Sequence, residues 1–561
     1  MKQELRVILA MALSVAIFVT YQNYFAPAPH AVTAAATETL TSNPVTASVA
    51  AKPAVATLTP ATPDSTDLSF VATPQTLVID TAKAKFNLNT VGAVITNAEL
   101  QDFVATAEKN SVQKDILETA DSYALFVGLS GYEALSSDKV FQIVKDETSA
   151  NQERNIVLAW QDQNLRIEKT FIISPASAPY SVTVKYSVTN RSAAPYVVTP
   201  YIENRLRQKV IVEPKGILSK LSNTQQDYFH PQYYKDGKLI TKLDWKNFTN
   251  AEDAGALAWS GVSDRYFLVA SAPEPGNVAA VTLDFKKLVD DKGSFLGGRL
   301  YAAPVTLNPS AQFSGGFFNY IGPKEHKALE ALPIALDKSV DYGWFAVIAT
   351  PILWLMRLIH TVIPNWGLVI IALTFIIKMM THPINKKSLQ SMKAMQLLQP
   401  KLQEIKKKYP EDKIKQNEEV MQLFKTHGVN PLGGCLPMLL QMPIYIVLYK
   451  VLWNAIELYH APFLWYKDLS APDPFYIAPV LLGVFMFLQQ KLTPNASADP
   501  AQQKMMAFMP ILFSVFMIFL PVGLTIYIFV NTAMSVIQQY MMRHNLTFKD
   551  LIKGKWEAKM V

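Results

Sequence analysis

The sequence predicts an α-helical polytopic membrane protein with three parts: an N-terminal anchor, a large all-β sandwich outside the membrane, and a five-helix core. Three observations predict it. Apolar runs of near-membrane length occur at the N-terminus and five more times after residue 364. Between residues 68 and 335 the apolar residues alternate with period two, as in half-buried strands. The mean hydropathy is slightly positive, between the values of soluble chains and of wholly embedded ones. With 561 residues the chain has room for several domains. Its net charge of +7 falls in loops beside apolar runs, so it calls for no nucleic acid, and no direct DNA contact is expected. The single cysteine, Cys435, excludes an internal disulfide.

Residues 1–25 read as a transmembrane signal-anchor. Lys2 and Arg6 precede an apolar run from Val7 to Thr20, and Tyr21, Tyr24 and Phe25 follow as interfacial aromatics. A cleaved signal peptide is the rival reading, with Ala34 to Ala36 as a cleavage site. Residues 26–67 are Ala, Thr, Pro and Ser with few large apolar groups. Such a segment cannot offset its ordering entropy and is expected to be a flexible linker.

Residues 68–335 are expected to form the sandwich. The clearest strand is YSVTVKYSV, with Tyr180, Val182, Val184, Tyr186 and Val188 on one face and Ser181, Thr183, Lys185 and Ser187 on the other. Similar runs occur at Leu77–Ile79, Lys85–Leu88, Leu165–Ile173, Val281–Phe285 and Gln312–Phe318. Turn residues such as Pro175, Asn190, Gly237 and Gly276 separate strands. Tyr228, Phe229, Tyr233, Tyr234 and Trp245 form either a glycan-binding cleft or ordinary packing.

Residues 339–363 mix large apolar side chains with Arg357 and His360, and Pro351 interrupts them. This is the pattern of an amphipathic helix lying in the interface. Residues 364–383 (PNWGLVIIALTFIIKMMTHP) are the second span. Its apolar run of roughly 15 residues reaches about 22 Å, short of the ~30 Å hydrocarbon core. Thr374 and Lys378 are four residues apart and share a helix face. Either Lys378 snorkels to the headgroups, or it marks a wet cationic face inside a bundle.

Residues 384–430 carry the lysines of the next loop. Between His382 and Gly434 ten lysines face five acidic residues, which places the loop in the cytoplasm. Two amphipathic helices are expected there, bent at Tyr409 and Pro410. Spans follow at 435–453, 475–490, 505–520 and 521–541, with Phe463, Trp465 and Tyr466 as interfacial anchors. The tail, 542–561, has five basic residues against two acidic from Arg543 onward. Alternation from an inside N-terminus puts the sandwich outside and the basic loops and tail inside.

These residues resemble the YidC membrane protein insertases, relatives of the mitochondrial oxidase-assembly and chloroplast Albino insertases. The specific pieces are NPLGGC at Asn430–Cys435 with the following LPMLLQMPI, APF…DLSAPDPFYI around Ala461–Ile477, and DPAQQKMMAFMP at Asp499–Pro510. The anchor, outer β domain and five-helix core resemble the Gram-negative form. The resemblance implies a protein of the bacterial inner membrane with both termini cytoplasmic and the sandwich periplasmic. It implies insertion and folding of nascent membrane proteins, alone or with the Sec translocon and its auxiliary subunits. It also implies contact with the lipid bilayer, and with ribosomes or targeting factors through the hairpin and tail.

The resemblance further implies a hydrophilic, cytoplasm-open groove carrying one basic residue, usually arginine. Lys378 takes that position here; lysine keeps the charge and loses the planar fork. Thr374, Gln441, Tyr527 and Asn531 are expected to line the groove with it. Met379, Met380, Met438, Met442, Met505, Met506 and Met509 suit walls that adapt to varied clients. No enzymatic activity, cofactor or metal is expected. There is no GxxxxGK, no HExxH and no close histidine pair. Two other classes stay in view. A solute transporter or channel predicts repeated halves or several intramembrane charges. A membrane-anchored glycan enzyme predicts a carboxylate pair on the sandwich.

Overall fold

The computed structural model describes residues 59–60, 73–119, 121–208, 228–242, 247–274, 280–291, 293–428, 436–492 and 500–544. The expected signal-anchor, nearly all of the linker, Trp245, the Asn430–Cys435 motif and the tail beyond residue 544 lie outside them. The chain forms two compact units, one within residues 33–341 and one from Tyr342 onward.

The first unit is the expected β-sandwich, and all its described pairings are antiparallel. Alternation underlies this: in Ser181–Asn190 the side chains of Val182, Val184, Tyr186 and Val188 are buried, while Thr183, Lys185, Ser187 and Thr189 between and beside them are half-buried or exposed. One sheet runs Gln142–Thr148, Arg154–Gln161, Leu165–Ile173, Ser181–Asn190, Ala311–Pro323, Phe267–Pro273, Asn250–Ser263, His230–Lys235, Lys238–Thr241. The other runs Ala280–Asp290, Gly293–Ala302, Tyr196–Arg207, Tyr123–Ser130, Val94–Val104, Ala84–Asn89, Thr76–Asp80. Asn250–Ser263 joins them: its first half pairs with Ala280–Asp290, and its second half, past a register shift, with the first sheet. The faces meet through Tyr233 stacked on Phe285 and through Asn204 Nδ2 donating to Ser271 Oγ at 3.0 Å.

Of the expected aromatic group, Phe229 and Tyr233 are buried in this core, and Tyr234 stacks on Trp259 at 6.4 Å. Thr59–Pro60, within the expected linker, pair with Ala311 and Gln312. A proline is tolerated there because an edge strand need not donate on both sides.

Several basic side chains are sealed inside the sandwich, Lys169 and His230 among them. Lys169 Nζ donates to the Gly92 carbonyl at 2.9 Å and lies over the rings of Phe126 and Phe141. Burial pushes its ammonium well below the usual lysine range. His230 is buried beside Lys324, and desolvation followed by that cation lowers it to about 4.

The second unit is helical: α2 (Ala346–Val362), α3 (Trp366–Leu397), α4 (Gln399–Lys408), α5 (Lys413–Thr426), α6 (Leu436–Asn454), α7 (Ile477–Leu492), α8 (Pro500–Met517) and α9 (Val522–Arg543), following a short α1 (His326–Glu330) at the end of the sandwich unit. Trp366–Met395 and Val522–Met542 are long and apolar enough to cross a membrane. α2 buries Ala349, Leu353 and Met356 while Val347, Trp354 and Val362 stay exposed, so it is apolar on two faces.

Two expectations need correcting, and one helix outruns its span. The helix that carries the expected second span, 364–383, is longer than that span: α3 runs on to Leu397. Proline removes one helical donor, but Met379, whose carbonyl loses it, lies on an exposed stretch. Pro351, expected to interrupt its segment, likewise sits inside α2. Phe463 and Tyr466, expected as interfacial anchors, are buried, and only Trp465 of the three is half exposed. Phe463 packs where Gly367 has no side chain: a Cβ there would lie 2.1 Å from Phe463 Cγ. Tyr466 donates to Asp473 at 3.0 Å.

The segment from Ile456 to Tyr476 forms a cap over one end of the bundle. Asp473 accepts from Phe475 N (2.9 Å) and Ala478 N (2.7 Å), which fixes the start of α7. The backbones of Val522 and Gly523 donate to Ala471 and Leu469, which fixes the start of α9. At the other end, α4 and α5 form a helical hairpin shorter than the one expected over 384–430, whose first part continues α3. Its bend at Tyr409 is flanked by the ammoniums of Lys408 and Lys415 at 5.4 and 5.3 Å from the ring.

Candidate functional site

The site is assembled from α3, α6 and α9, each contributing residues four apart on one face. α3 contributes Thr374 and Lys378; α6 contributes Gln441 and Tyr445; α9 contributes Tyr527, Asn531 and Ser535. The surroundings are mostly apolar: Val369, Ile370, Leu373, Val447, Leu448 and Leu524 pack around the polar set in one core, with the buried Thr525 and Thr532 of α9 bonded one turn back along their own segment.

Lys378 is 4% exposed. It does not reach outward along the helix. Its Nζ donates to Asn531 Oδ1 at 3.1 Å and to Ser535 Oγ at 2.6 Å. Asn531 Nδ2 donates to the Tyr445 hydroxyl at 2.8 Å, so one amide links all three helices. Ser535 Oγ donates to the Asn531 carbonyl at 2.9 Å. Gln441 Nε2 donates to the Tyr527 hydroxyl at 3.4 Å. The rings of Tyr445 and Tyr527 meet edge to face at 6.0 Å, which joins the two halves of the network.

Thr374 is buried but stands apart. Its Oγ1 donates to the Ile370 carbonyl at 2.7 Å, one turn back along its own helix. Lys378, Asn531, Gln441 and Tyr527 are thus brought into one network, and Thr374 borders it. Tyr445 and Ser535 were not among the expected residues. Their signal was present: Tyr445 follows Gln441 by four positions, and Ser535 follows Asn531 by four.

Among the described residues no carboxylate lies within ion-pair distance of Lys378. An ammonium carries three N–H donors, and Asn531 and Ser535 take two. A cation held by neutral oxygens inside an apolar bundle attracts an anion strongly, because little water screens it. Of the methionines expected to line the walls, Met379, Met380, Met442 and Met509 are exposed on the bundle surface. The side chains of Met438, Met505 and Met506 lie outside the described set.

Comparison with known proteins gives two family matches in tandem. Residues 76–355 match the YidC periplasmic domain, and residues 358–549 match the 60Kd inner membrane protein family. The membrane protein insertase YidC of Actinobacillus pleuropneumoniae serotype 3 is 32% identical over 86% of this chain and 88% of its own. That of Histophilus somni strain 129Pt is 34% identical over 83% of this chain and 86% of its own. A crystal structure of an active YidC insertase with its first transmembrane domain resolved aligns with 84% of this chain and 93% of its own, at 18% identity and a TM-score of 0.36. Across both of its units, the chain belongs to the family of YidC membrane protein insertases.

Proposed function

We propose that this chain inserts integral membrane proteins into the bacterial inner membrane and helps them fold, by lodging a client's polar segment against Lys378 inside the helical bundle. The observation that carries this reading is the buried Lys378 ammonium, held by Asn531 and Ser535 and, among the described residues, facing no carboxylate. A lone charge at mid-bilayer costs about 3 kcal/mol. An acidic client group brought to Lys378 shares that cost. Gln441, Tyr445 and Tyr527 offer further partners to client backbone that has lost water. Exposed apolar surface on α3, α7 and α8 then gives the client's own helix a path into lipid.

In this reading the hairpin end of the bundle is cytoplasmic, as its lysine excess requires, and the cap end and the sandwich are periplasmic. The spans are residues 1–25, 364–383, 435–453, 475–490, 505–520 and 521–541, with both termini inside. The Sec translocon and its auxiliary subunits are partners for clients that arrive through it. The hairpin and tail face ribosomes or targeting factors. The reaction breaks no covalent bond and uses no nucleotide.

The test uses the full chain in lipid vesicles with a short membrane client bearing an acidic tail, read by protease protection of that tail. The parent is expected to protect it, Lys378→Arg to retain most of the activity, and Lys378→Met to lose about tenfold or more in rate, the weight of one charge-assisted contact. Equal protection by Lys378→Met removes Lys378 from the site. No protection with any client, together with solute flux, favours a transporter.

A further inference from the structure

At the cap end, besides the buried Ala349, Leu353 and Met356, the described residues include contacts of three kinds that tie α2 to the bundle. At its start, Lys450 Nζ lies 3.4 Å from the Tyr342 carbonyl and 5.8 Å from the centroid of the Phe345 ring. At its end, His360 stacks on Trp366 at 4.0 Å. Between them is an ion pair. Arg357 Nε and Nη2 converge on one oxygen of Glu457, at 2.8 and 2.7 Å. Both side chains are largely withdrawn from solvent, so the pair is less screened than a surface one.

Glu457 sits in the three-residue turn Ile456–Leu458 that opens the cap. Its neighbours Ile456 and Leu458 are buried. Leu458 reaches to Gly523 at the start of α9: a Cβ on Gly523 would lie 3.6 Å from Leu458 Cδ1 and 3.3 Å from Ile370 Cδ1 of α3. Arg357 thus grips the turn whose Leu458 shares a core with Ile370 of α3 and packs beside Gly523 at the start of α9. Those two helices carry Lys378, Asn531 and Ser535. The opposite face of α2, with Val347, Trp354 and Val362, has no protein partner among the described residues and is exposed to whatever surrounds the bundle.

We propose that Arg357 and Glu457 are a positioning pair for insertion: they hold α2 to the cap, so that the cap end of the bundle stays shut while a client segment is lodged at Lys378. This rests on the insertase reading above. The pair touches no client. With it broken, α2 stays attached through Lys450 and His360 and swings rather than detaches, so the bundle folds but its cap end loosens. The fork matters as well as the charge, since two guanidinium donors fix an angle that one ammonium cannot.

The test uses the full chain in vesicles holding a trapped pH-sensitive dye, so that client tail protection and proton leak are read together. The variants are Arg357→Glu, Glu457→Arg and the double reversal, with melting measured for each. Each single reversal is expected to slow insertion about tenfold and to raise the leak. The double reversal is expected to return both to within about threefold of the parent, as coupled neighbours do. A rescue of leak and rate together is not produced by a general loss of folded protein. If the single reversals do not accumulate, Arg357→Gln and Glu457→Gln carry the same two readouts. An active parent with silent single variants, or a double reversal no better than the singles, overturns the proposal and leaves the insertase reading standing. An inactive parent sinks the insertase reading, and the positioning role falls with it.

Discussion

Gly367 and Phe463 make the sharpest quantitative claim. The ring of Phe463 occupies the space where any other residue at 367 would carry its Cβ: that atom would meet Phe463 Cγ, Cδ2 and Cβ at 2.1, 2.2 and 2.7 Å. The ring cannot easily swing away, because Phe463 and Tyr466 exchange backbone hydrogen bonds of 2.9 Å in both directions. Gly367→Ala is therefore an overpacking substitution and should cost about 2 kcal/mol. Phe463→Ala empties a buried aromatic site and should cost about 4 kcal/mol. In the double variant the added methyl enters the space the ring has left. The pair should then cost about 4 kcal/mol rather than the sum, a coupling of about 2 kcal/mol. Unfolding in mixed micelles by titration with a denaturing detergent measures all four corners of this cycle. Additivity within about 0.5 kcal/mol would refute the contact, and so would a Gly367→Ala variant as stable as the parent.

Three further outcomes are expected. Asp473→Ala removes the acceptor of Tyr466 Oη, Phe475 N and Ala478 N at a site almost without exposure, and should lower stability by about 3 kcal/mol in the same titration, whereas Asp473→Asn should keep most of it. Asn531→Leu should slow insertion more than Ser535→Ala does, because the amide holds both Lys378 and Tyr445; equal rates for the two would show that the three-helix link is idle. The sandwich should weaken in acid through His230. Folded, this imidazole stays neutral to about pH 4, while the unfolded chain protonates it near 6.5. The unfolded state binds the extra proton between those values, so stability falls by about 3 kcal/mol as the pH drops through that window. Melting at pH 7 and pH 4.5 should show a smaller decline in His230→Gln, and identical declines would contradict the burial argument.

The strands were legible because alternation is local: the buried set in Ser181–Asn190 is written into Val182, Val184, Tyr186 and Val188 without reference to any partner. The sheet order was not, since Val182 faces residues near Asn319, and nothing near either residue names the other. Lys378 was legible as an anomaly in an apolar run, but its two readings differ only in which way the side chain points. Asn531 and Ser535 decide that, from a helix beyond residue 520. The length of α3 was not legible, because a proline such as Pro383 ends a helix only where the lost hydrogen bond is costly, and a carbonyl on an exposed stretch can lose one cheaply. Phe463 and Tyr466 misled because an aromatic beside an apolar run is a sound interfacial signal only when nothing inside offers it a seat, as Gly367 does for Phe463 and Asp473 for Tyr466.

Ala311–Pro323 is the last strand of the sandwich to be synthesised, yet it lies between Ser181–Asn190 and Phe267–Pro273 in the middle of its sheet. Val182 and Asn319, which share a hydrogen bond across it, are 137 residues apart in sequence. Closing so long a loop costs entropy before any contact repays it. Until that strand emerges from synthesis, its two flanking strands each present a bare edge, the kind of edge that recruits foreign strands. The sheet is therefore finished from its centre, and only after the ribosome has passed Pro323. The interval before the helical unit begins is short, so the β domain's exposure to misassembly is timed by its own final strand.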